Sequence, residues 1–251
     1  MGQRLIALAS ADKELLVVAA IESPRHPKLG QDAGLLAGVG PLGVPLSTEL
    51  PEKIDVAVDF SVPAAAEEFV ARCVRQKVPL VVATTGFDAR QQAAIRAAAE
   101  TIPLLWSPSM SLAVNLAMKL CGTAAEALRA HPSGVDVEII ERHHRYKEDA
   151  PSGTALKFGK IIADAMGQTT AAHGRSGRPG ERPRDEIGYH AVRAGDNPGE
   201  HAIIFGLLGE TLEISVRASS RDCYAHGALA AAKFLAGRPP GLYGIQDVLG
   251  L

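Results

Sequence analysis

Hydrophobic and polar residues follow a regular rhythm through the first half of the chain. Short apolar runs predict strands at 54–60, 80–84 and 102–107, and segments with apolar residues at helical spacing separate them at 63–77 and 88–100. Strands that alternate with helices in this way are typical of a parallel sheet covered by helices. This half of the chain therefore predicts a doubly wound α/β domain.

The chain begins with a predicted helix to about Ala11 and an apolar, strand-like run over 15–21, followed by a Gly- and Pro-rich loop at 24–45 with at most one short strand. In a dinucleotide-binding βαβ unit a glycine-rich turn opens the first helix, and an acidic residue about 20 positions later binds the ribose hydroxyls. Gly2 and Glu22 are 20 positions apart. The pair is equally compatible with an ordinary second residue and a solvated acid.

On the dinucleotide interpretation, the sequence begins inside the βαβ unit, at the last glycine of its turn. We therefore expect the first strand and most of the phosphate-binding turn to be absent. That strand is central in a Rossmann sheet, so its absence is expected to leave two strands unpaired and the pyrophosphate cradle incomplete.

A different organisation follows a long predicted helix at 112–130. The segment 135–141 alternates apolar and polar residues like a half-buried strand, and a helix with Ser152 as its N-cap is predicted to end near Met166. The segment 167–184, rich in Gly, Arg and Thr, is predicted to be a mobile loop.

Three predicted strands then succeed one another without helices, the last two joined by a hairpin, at 187–193, 201–207 and 211–218. Hairpins indicate a mixed, largely antiparallel sheet. A final helix at 221–235 is expected to return to the first domain, followed by a short tail. We therefore predict a Rossmann-like α/β domain at 1–110 and 218–251, and an α+β substrate-binding and oligomerisation domain at 111–217.

Composition narrows the class of protein. The 251 residues are 47% hydrophobic, which is enough for a substantial core, and the net charge of −2, without a basic band, argues against nucleic acid or an anionic membrane as a partner. No secretory signal or transmembrane segment is visible. The three dispersed cysteines fit a reducing compartment, so we expect a cytoplasmic protein.

The chemistry is concentrated at 141–154. His143, His144 and Lys147 supply proton-transfer and cationic groups, and Ser152 and the residues after it open a helix whose free N–H groups can hold an anion. Adjacent histidines can bind a metal or serve a structural role. Lys147 and an anion site lie next to the two histidines, and this clustering favours a catalytic role. The histidines lack the i, i+4 partner of a zincin helix, so we predict no metal site.

Two loops at the carboxyl ends of predicted strands form the rim where ligands of doubly wound sheets bind, at 84–87 and 107–111. Either loop alone could be an ordinary polar turn. The Tyr-x-x-x-Lys motif of short-chain dehydrogenases and the Gly-x-Ser-x-Gly motif of serine hydrolases are both absent. The segment Gly153-Thr-Ala-Leu-Lys-Phe-Gly-Lys-Ile161 has one residue too many between its glycines for a phosphate-binding P-loop.

Taken with its flanks, Glu141-Arg-His-His-Arg-Tyr-Lys-Glu-Asp-Ala-Pro-Ser-Gly-Thr-Ala155 resembles the signature of the 4-hydroxy-tetrahydrodipicolinate (dihydrodipicolinate) reductase family of lysine and diaminopimelate biosynthesis. The resemblance extends to Thr84-Thr-Gly-Phe87, Arg193-Ala-Gly-Asp196, Gly199-Glu-His201 and Arg217-Ala-Ser-Ser-Arg221, and covers essentially the whole chain. Ala83 and Ser109 stand where the family commonly has Gly and Asn.

The resemblance implies reduction of a cyclic dicarboxylate with NADPH or NADH by a homotetramer. It implies His143 as the catalytic proton donor or acceptor and Lys147 as its cationic partner, with the substrate carboxylate held by His144, Ser152, Gly153 and Thr154. It also implies cofactor contacts, with Gly2 in the phosphate-binding turn, Glu22 at the adenosine ribose, and a nicotinamide site lined by Ala83, Thr84, Thr85, Ser107, Pro108, Ser109 and Met110.

Two alternatives remain open on the sequence alone. One is a related Rossmann dehydrogenase of another small carboxylate, such as an amino-acid dehydrogenase, and the other is a catalytically impaired, ligand-binding remnant. The preference between cofactors is also open, because Glu22 favours a ribose with free hydroxyls whereas Arg25 and Lys28 could accommodate a 2′-phosphate.

Overall fold

The computed structural model describes residues 1–251, which form two compact units. One unit contains Met1–Leu112 and Asp222–Leu251, and the other contains Ala113–Arg221. The second unit is therefore inserted within the sequence of the first. None of the helices combines the length and the apolar character needed to cross a membrane.

Short strands and helices alternate along the first part of the chain. They are α1 (Gly2–Ala11), β1 (Ala20–Ile21), α2 (Ala33–Ala37), β2 (Leu46–Ser47), β3 (Ala57–Asp59), α3 (Pro63–Gln76), β4 (Leu80–Val82), α4 (Ala89–Ala98) and β5 (Pro103–Trp106). The remaining elements are α5 (Leu112–Leu128), β6 (Asp136–His143), α6 (Gly153–Met166), β7 (Thr170–His173), β8 (Glu186–Arg193), β9 (Glu200–Leu207), β10 (Glu210–Arg217), α7 (Asp222–Leu235), β11 (Gly241–Tyr243) and α8 (Ile245–Leu249).

The first unit has a four-stranded parallel sheet of order β11-β5-β4-β3, and β1 and β2 form a separate parallel pair. Five side chains of the central strands are completely buried, which is why these strands read as continuous apolar runs: Leu80, Val81, Val82, Leu104 and Leu105. The parallel, Rossmann-like architecture predicted from the sequence is confirmed.

Helix ends in this unit follow local sequence signals. Pro63 occupies the first turn of α3, and α4 begins at a capping box in which the Asp88 carboxylate accepts the Gln91 N–H while the Gln91 side chain accepts the Asp88 N–H. These caps fix the residues at which the two helices begin.

Two predictions in this unit were wrong, and the tail contains elements that were not predicted. Of the apolar run 15–21 only Ala20 and Ile21 pair with another strand, and Leu16 is 83% exposed. The segment 24–45 contains α2, a helix too short to show a period. It is stabilised because the Asp32 carboxylate accepts the N–H groups of Gly34 and Leu35 in its first turn and those of Leu42 and Gly43 beyond its end. The tail contains β11, which pairs with β5, and α8.

The second unit is a five-stranded mixed sheet of order β10-β9-β6-β8-β7. β9 pairs antiparallel with β10 and with β6, whereas β8 pairs parallel with β6 and with β7. Helices α5 and α6 supply side chains to a core on one face of this sheet, which includes Phe158, Ile139 and Phe205. The mixed sheet agrees with the predicted fold class.

The segment 167–184, predicted as a mobile loop, contains β7 at the edge of the sheet. After β7, the Arg175 and Arg182 guanidinium groups reach across the sheet to the Glu138 carboxylate, at 2.7 and 2.9 Å. These ion pairs fix the segment in place, and their partner lies about 40 residues earlier in the sequence, which a local pattern cannot show.

Candidate active site

The predicted catalytic stretch starts on the buried side of β6. Strand alternation turns Val137, Ile139, Glu141 and His143 to the same face, and the first two are buried in the core. The Glu141 and His143 side chains continue this row, so a carboxylate and an imidazole are buried at the end of the strand, with exposures of 1% and 8%.

The Glu141 carboxylate accepts four hydrogen bonds. Its Oε1 accepts from Nη2 of Arg193 at 2.7 Å and from the backbone N–H of Ser152 at 3.0 Å. Its Oε2 accepts from Nη1 of Arg193 at 2.8 Å and lies 2.6 Å from Nδ1 of His143. A buried carboxylate with a bidentate arginine and two further donors has all its hydrogen-bonding capacity used. These bonds offset the free-energy cost of removing its charge from water.

Strand register brings these groups together. Arg193 of β8 lies opposite His143, and His201 of β9 lies opposite Glu141. The three strands β8, β6 and β9 therefore each contribute an ionisable side chain to one end of the sheet. The His143 and His201 rings meet edge to face, with centroids 5.2 Å apart.

Burial and neighbouring charges shift the pKa values of these groups. Burial lowers the pKa of His143, and this effect, assisted by the cationic Lys147 and Arg193, outweighs the upward effect of Glu141. Burial also lowers the pKa of His201, to about 4. Burial would raise the pKa of the Glu141 carboxyl, but the hydrogen bonds from Arg193, His143 and Ser152 hold it below its ordinary value.

Helix α6 begins at this cluster. Ser152 is its N-cap: its hydroxyl accepts the Ala155 N–H at 3.1 Å and lies 3.1 Å from Nε2 of His201. The next two amides, of Gly153 and Thr154, have no partner within the protein, because the helix offers none at its first turn. Gly153 is exposed, so these two N–H groups form an accessible anion site next to the buried cluster.

Lys147 and His144 lie on the turn between β6 and α6. The Lys147 ammonium lies 2.7 Å from the Asp149 carboxylate, and the Lys147 N–H donates to the His144 carbonyl. Nδ1 of His144 is buried without a hydrogen-bond partner, although the residue as a whole is half-buried. The substrate-site residues predicted from the sequence therefore share one turn and one helix start.

Ser152 differs from the others in that set. Its side chain is 2% exposed and its hydroxyl already has two partners, so it orders the helix start. The accessible donors are the two amides that follow it.

In the first unit, the predicted nicotinamide residues follow the carboxyl ends of β4 and β5. The Ala83 N–H donates to the Asp59 carbonyl, and the Thr84 hydroxyl donates to the buried Asp59 carboxylate at 2.5 Å. The Thr84, Ser107 and Met110 side chains are buried, so these residues can offer a ligand mainly their backbone. Thr85 and Pro108 are exposed, and Ala83 and Ser109 are half-buried.

The predicted adenosine-site residues are also in this unit. Glu22 directly follows β1 and is exposed, and its carboxylate accepts the Ser23 N–H at 3.0 Å. Gly2 is the first residue of α1 and has open space around the position of a Cβ. In doubly wound sheets an acidic residue after the second strand meets the ribose of a dinucleotide, and ligands bind beyond the carboxyl ends of the strands, which is where Glu22 and the residues after β4 and β5 lie.

Three residues of the candidate site were given no role by the sequence: Glu141, Arg193 and His201. Glu141 did carry a signal, because it occupies an inward-facing position of an alternating strand and therefore needs a buried partner. Arg193 contacts Glu141 and His201 contacts Ser152 only because strands far apart in the sequence pair with β6. The residues in each contact are about 50 positions apart.

A parallel nucleotide-binding sheet, together with a unit that presents an imidazole, an ammonium group and an anion site, defines an oxidoreductase that uses a nicotinamide cofactor on a small substrate. Two family models match the chain: "Dihydrodipicolinate reductase, N-terminus" over residues 1–110 and "Dihydrodipicolinate reductase, C-terminus" over residues 113–249. The chain belongs to the dihydrodipicolinate reductase family.

Curated relatives agree with this assignment. The 4-hydroxy-tetrahydrodipicolinate reductase of Rhodopirellula baltica is 52% identical, with all of this chain and 92% of that protein covered. The enzyme of the same name from Syntrophotalea carbinolica is 45% identical, with 100% and 95% covered. These matches extend over both structural units.

Solved structures show the same architecture. The dipicolinate-bound dihydrodipicolinate reductase from Paenisporosarcina sp. TG-14 superposes with a TM-score of 0.76 at 25% identity, covering 98% of this chain and 94% of that one. An amine dehydrogenase from Mycobacterium smegmatis superposes with a TM-score of 0.61 at 15% identity, covering 97% and 92%, which is a likeness of fold.

Proposed function

We propose that this chain catalyses the NAD(P)H-dependent reduction of 4-hydroxy-tetrahydrodipicolinate to tetrahydrodipicolinate in lysine and diaminopimelate biosynthesis. The observation that carries the proposal is the pair of unpartnered amides at Gly153 and Thr154, directly beside the buried Glu141–His143 cluster. The relatives that bear this enzyme's name support the choice of substrate.

Binding of the substrate is assigned to the start of α6. A carboxylate of the substrate accepts the Gly153 and Thr154 N–H groups, where the partial positive charge of the helix end favours an anion. His144 and Lys147 add donors from the preceding turn. Lys147 would exchange its contact with Asp149 for one with the substrate.

Proton transfer is assigned to His143. Hydride addition to a C=N or conjugated C=C bond leaves an electron pair on the acceptor, which a proton must neutralise. Nδ1 of His143 faces Glu141, so Nε2 is the nitrogen that delivers the proton. A positioned acid typically contributes 10²–10⁴-fold to the rate. The substrate's negative charge favours the protonated imidazole and so opposes the lowering of the His143 pKa by burial.

A bound dihydronicotinamide would supply the hydride. We propose that Ala83, Thr85, Pro108 and Ser109, with the backbone of Thr84, Ser107 and Met110, hold that ring, and that Gly2 lies at the pyrophosphate. The buried hydrogen bond between Thr84 and Asp59 supports this role, because it fixes the backbone of the rim at the end of β4.

The proposal predicts turnover that depends on His143 and Lys147. His143→Gln and Lys147→Met are each expected to lower kcat by roughly 10²–10⁴-fold, since one removes the acid and the other the adjacent cation. Turnover is followed by oxidation of the reduced nicotinamide with enzymatically generated 4-hydroxy-tetrahydrodipicolinate.

Matched controls are available in the same unit. His190→Gln removes a histidine that bonds Glu138, and Lys160→Met removes an exposed lysine on α6. Both controls should retain near-normal kcat. Near-normal kcat in both the His143 and Lys147 variants would contradict the proposed function.

We propose that both NADH and NADPH are accepted. Glu22 offers a carboxylate to a ribose with free hydroxyls, and Arg25 and Lys28, which form no salt bridge, offer cations to a 2′-phosphate. Glu22→Gln should raise KM for NADH more than for NADPH, and Arg25→Ala with Lys28→Ala should do the reverse. Equal KM changes for both cofactors would contradict these roles.

We further propose a cytoplasmic homotetramer assembled through the sheet of the second unit. The three cysteines form no disulfide, which fits a reducing compartment. Helices cover one face of the sheet, and on the other face Ile140 and Val192 are 39% and 41% exposed next to the half-buried Ile204. An apolar patch of this kind is typical of a subunit interface.

The tetramer is tested by light scattering. Ile140→Glu should reduce the molar mass in solution, because it places a charge in the proposed interface. Leu120→Glu, at a similarly exposed position on α5, is the control and should leave the mass unchanged. A monomeric wild-type protein would exclude the assembly.

A further inference from the structure

We infer that Glu141 is a positioning residue that acts through His143: its carboxylate fixes which ring nitrogen of His143 delivers the proton and ties that nitrogen to the anion site of α6. This inference deepens the proposed function and rests on it. Glu141 touches neither substrate nor cofactor in this role; it is buried behind the imidazole, at 1% exposure.

The first step of the argument concerns the tautomer of His143. The Nδ1–Oε2 distance of 2.6 Å is that of a strong hydrogen bond, and a carboxylate can only accept, so the neutral imidazole carries its proton on Nδ1. The Nε2 atom then has a lone pair, takes up a proton from outside and gives it to the substrate. The same carboxylate stabilises the cationic ring that forms.

The second step concerns rotation of the carboxylate. Both oxygens are held by the Arg193 guanidinium, so Glu141 cannot turn to offer His143 a different geometry. Arg193 is held in turn, because its Nη2 donates to the Asp149 carbonyl at 2.6 Å and its Nη1 to the Val192 carbonyl at 2.8 Å. The His143 ring is thus oriented by Glu141, Glu141 is held by Arg193, and Arg193 is held by two backbone carbonyls.

The third step links proton delivery to substrate binding. The oxygen of Glu141 that does not face His143 accepts the Ser152 N–H, directly before the two free amides of α6. One carboxylate therefore sets the distance between the acid and the anion site. Displacement of the helix start by about 1 Å would move the substrate away from Nε2, and errors of this size can cost about 10²-fold in rate.

A purely structural role is the competing explanation, in which Glu141 only neutralises Arg193. Glu138 is a matched control for that role. It lies three positions earlier on the same strand, faces the other side of the sheet, and bonds two arginines and one histidine: Arg175, Arg182 and His190. Replacement of Glu138 removes the same kind of network without touching His143.

The test substitution is Glu141→Gln. The single amide oxygen of the glutamine accepts from Arg193, so its NH₂ group faces Nδ1 of His143. Nδ1 must then accept a hydrogen bond, which places the ring proton on Nε2. We expect two-bond ¹⁵N–¹H correlation spectra of histidine-labelled protein to show this change of tautomer, with the His143 signals assigned by their loss in His143→Gln. The measurement needs neither substrate nor turnover.

Kinetics give a second readout. Glu141→Gln is expected to lower kcat on the order of 10²–10⁴-fold, since loss of the carboxylate partner of a catalytic histidine can cost about 10⁴-fold. The pH at which kcat/KM declines on the alkaline side should move to lower values, because the charged ring loses its anionic partner. Glu138→Gln should leave both the tautomer and this pH unchanged.

An Nδ1–H tautomer and an unshifted pH profile in Glu141→Gln would overturn the inference, even if stability and kcat fell. If Glu141→Gln does not fold, Glu141→Asp serves instead, because it keeps the charge for Arg193 and withdraws the oxygen from Nδ1. A wild-type tautomer and pH profile in that variant would likewise overturn it. A changed tautomer combined with normal turnover of His143→Gln would refute the proposed function and not the positioning.

Discussion

The side chain of His143 experiences opposing electrostatic influences. Glu141 favours its protonated form, whereas burial, Lys147 and Arg193 disfavour it, and their sum lowers its pKa. His201, the remaining neighbour, is itself held neutral by burial, which lowers its pKa to about 4. The free protein therefore keeps its candidate acid mostly unprotonated at neutral pH.

This balance predicts a difference between two pH profiles. An acid must be protonated to act, so kcat/KM, which reports the free protein, should decline as pH rises through a value below the ordinary 6.5 of histidine. kcat reports the complex, in which the bound dicarboxylate favours protonation, so it should decline at higher pH. Identical profiles for kcat and kcat/KM would contradict this account.

Gly199 gives a second prediction at this scale. A Cβ at this position would lie 2.9 Å from Nε2 of His143, and its φ of +149° is one that other residues rarely adopt. Gly199→Ala should obstruct Nε2 of His143, the nitrogen proposed to deliver the proton, and lower kcat about 10-fold or more. Gly195→Ala, at φ +60° with open space around the Cβ, is the control for backbone strain alone. Equal kcat losses in both variants would exclude obstruction.

At the scale of the elements, hydrophobic patterns correctly predicted the helices and strands that are long or fully buried. Helices α3 to α6 and strands β4 to β6 follow apolar periods of the expected kind. Short elements of two to five residues, such as α2 and β7, were not predicted because α2 depends on the Asp32 side chain and β7 on pairing with β8. The same limit applied to the site, since the partners of Glu141 depend on register.

The packing of α6 on β8 is an element-scale feature with a testable cost. A Cβ at Gly159 would lie 1.7 Å from Oη of the buried Tyr189, so a side chain at 159 requires the Tyr189 ring or the helix to move. Gly159→Ala should lower the free energy of unfolding by about 1–3 kcal/mol, measured by urea denaturation.

Two comparisons identify steric overlap as the cause. Gly122→Ala on α5 meets Ile161 at 3.3 Å and should cost much less. Tyr189→Phe in the Gly159→Ala background removes the hydroxyl and should restore part of the loss. If the alanine variant is as stable as wild type, the close approach is relieved by a small shift of the helix and costs nothing.

At the scale of the whole molecule, two groups with strongly shifted pKa values, His201 and Glu138, make stability depend on pH. His201 has a folded pKa of about 4, so below pH 6.5 the unfolded chain binds a proton that the folded protein does not. Stability should therefore fall between pH 6.5 and 4, by roughly 2–3 kcal/mol. Glu138 has a pKa of about 2, and its contribution is lost below pH 4.5.

His201→Gln isolates the first effect. It should flatten the pH dependence of unfolding between pH 6.5 and 4.5, because glutamine does not titrate, even if stability at pH 7 is lower. His26→Gln, in the other unit, controls for the loss of a histidine. A wild-type slope in His201→Gln would assign the acid sensitivity to other groups.

In the proposed function, the start of α6 recognises an acid through main-chain N–H groups, and every amino acid except proline supplies such a group. Mutational drift of the side chain at Thr154 therefore leaves this part of the recognition chemically intact. An inhibitor anchored there would bind atoms that ordinary substitutions cannot delete, which limits the routes by which resistance could arise.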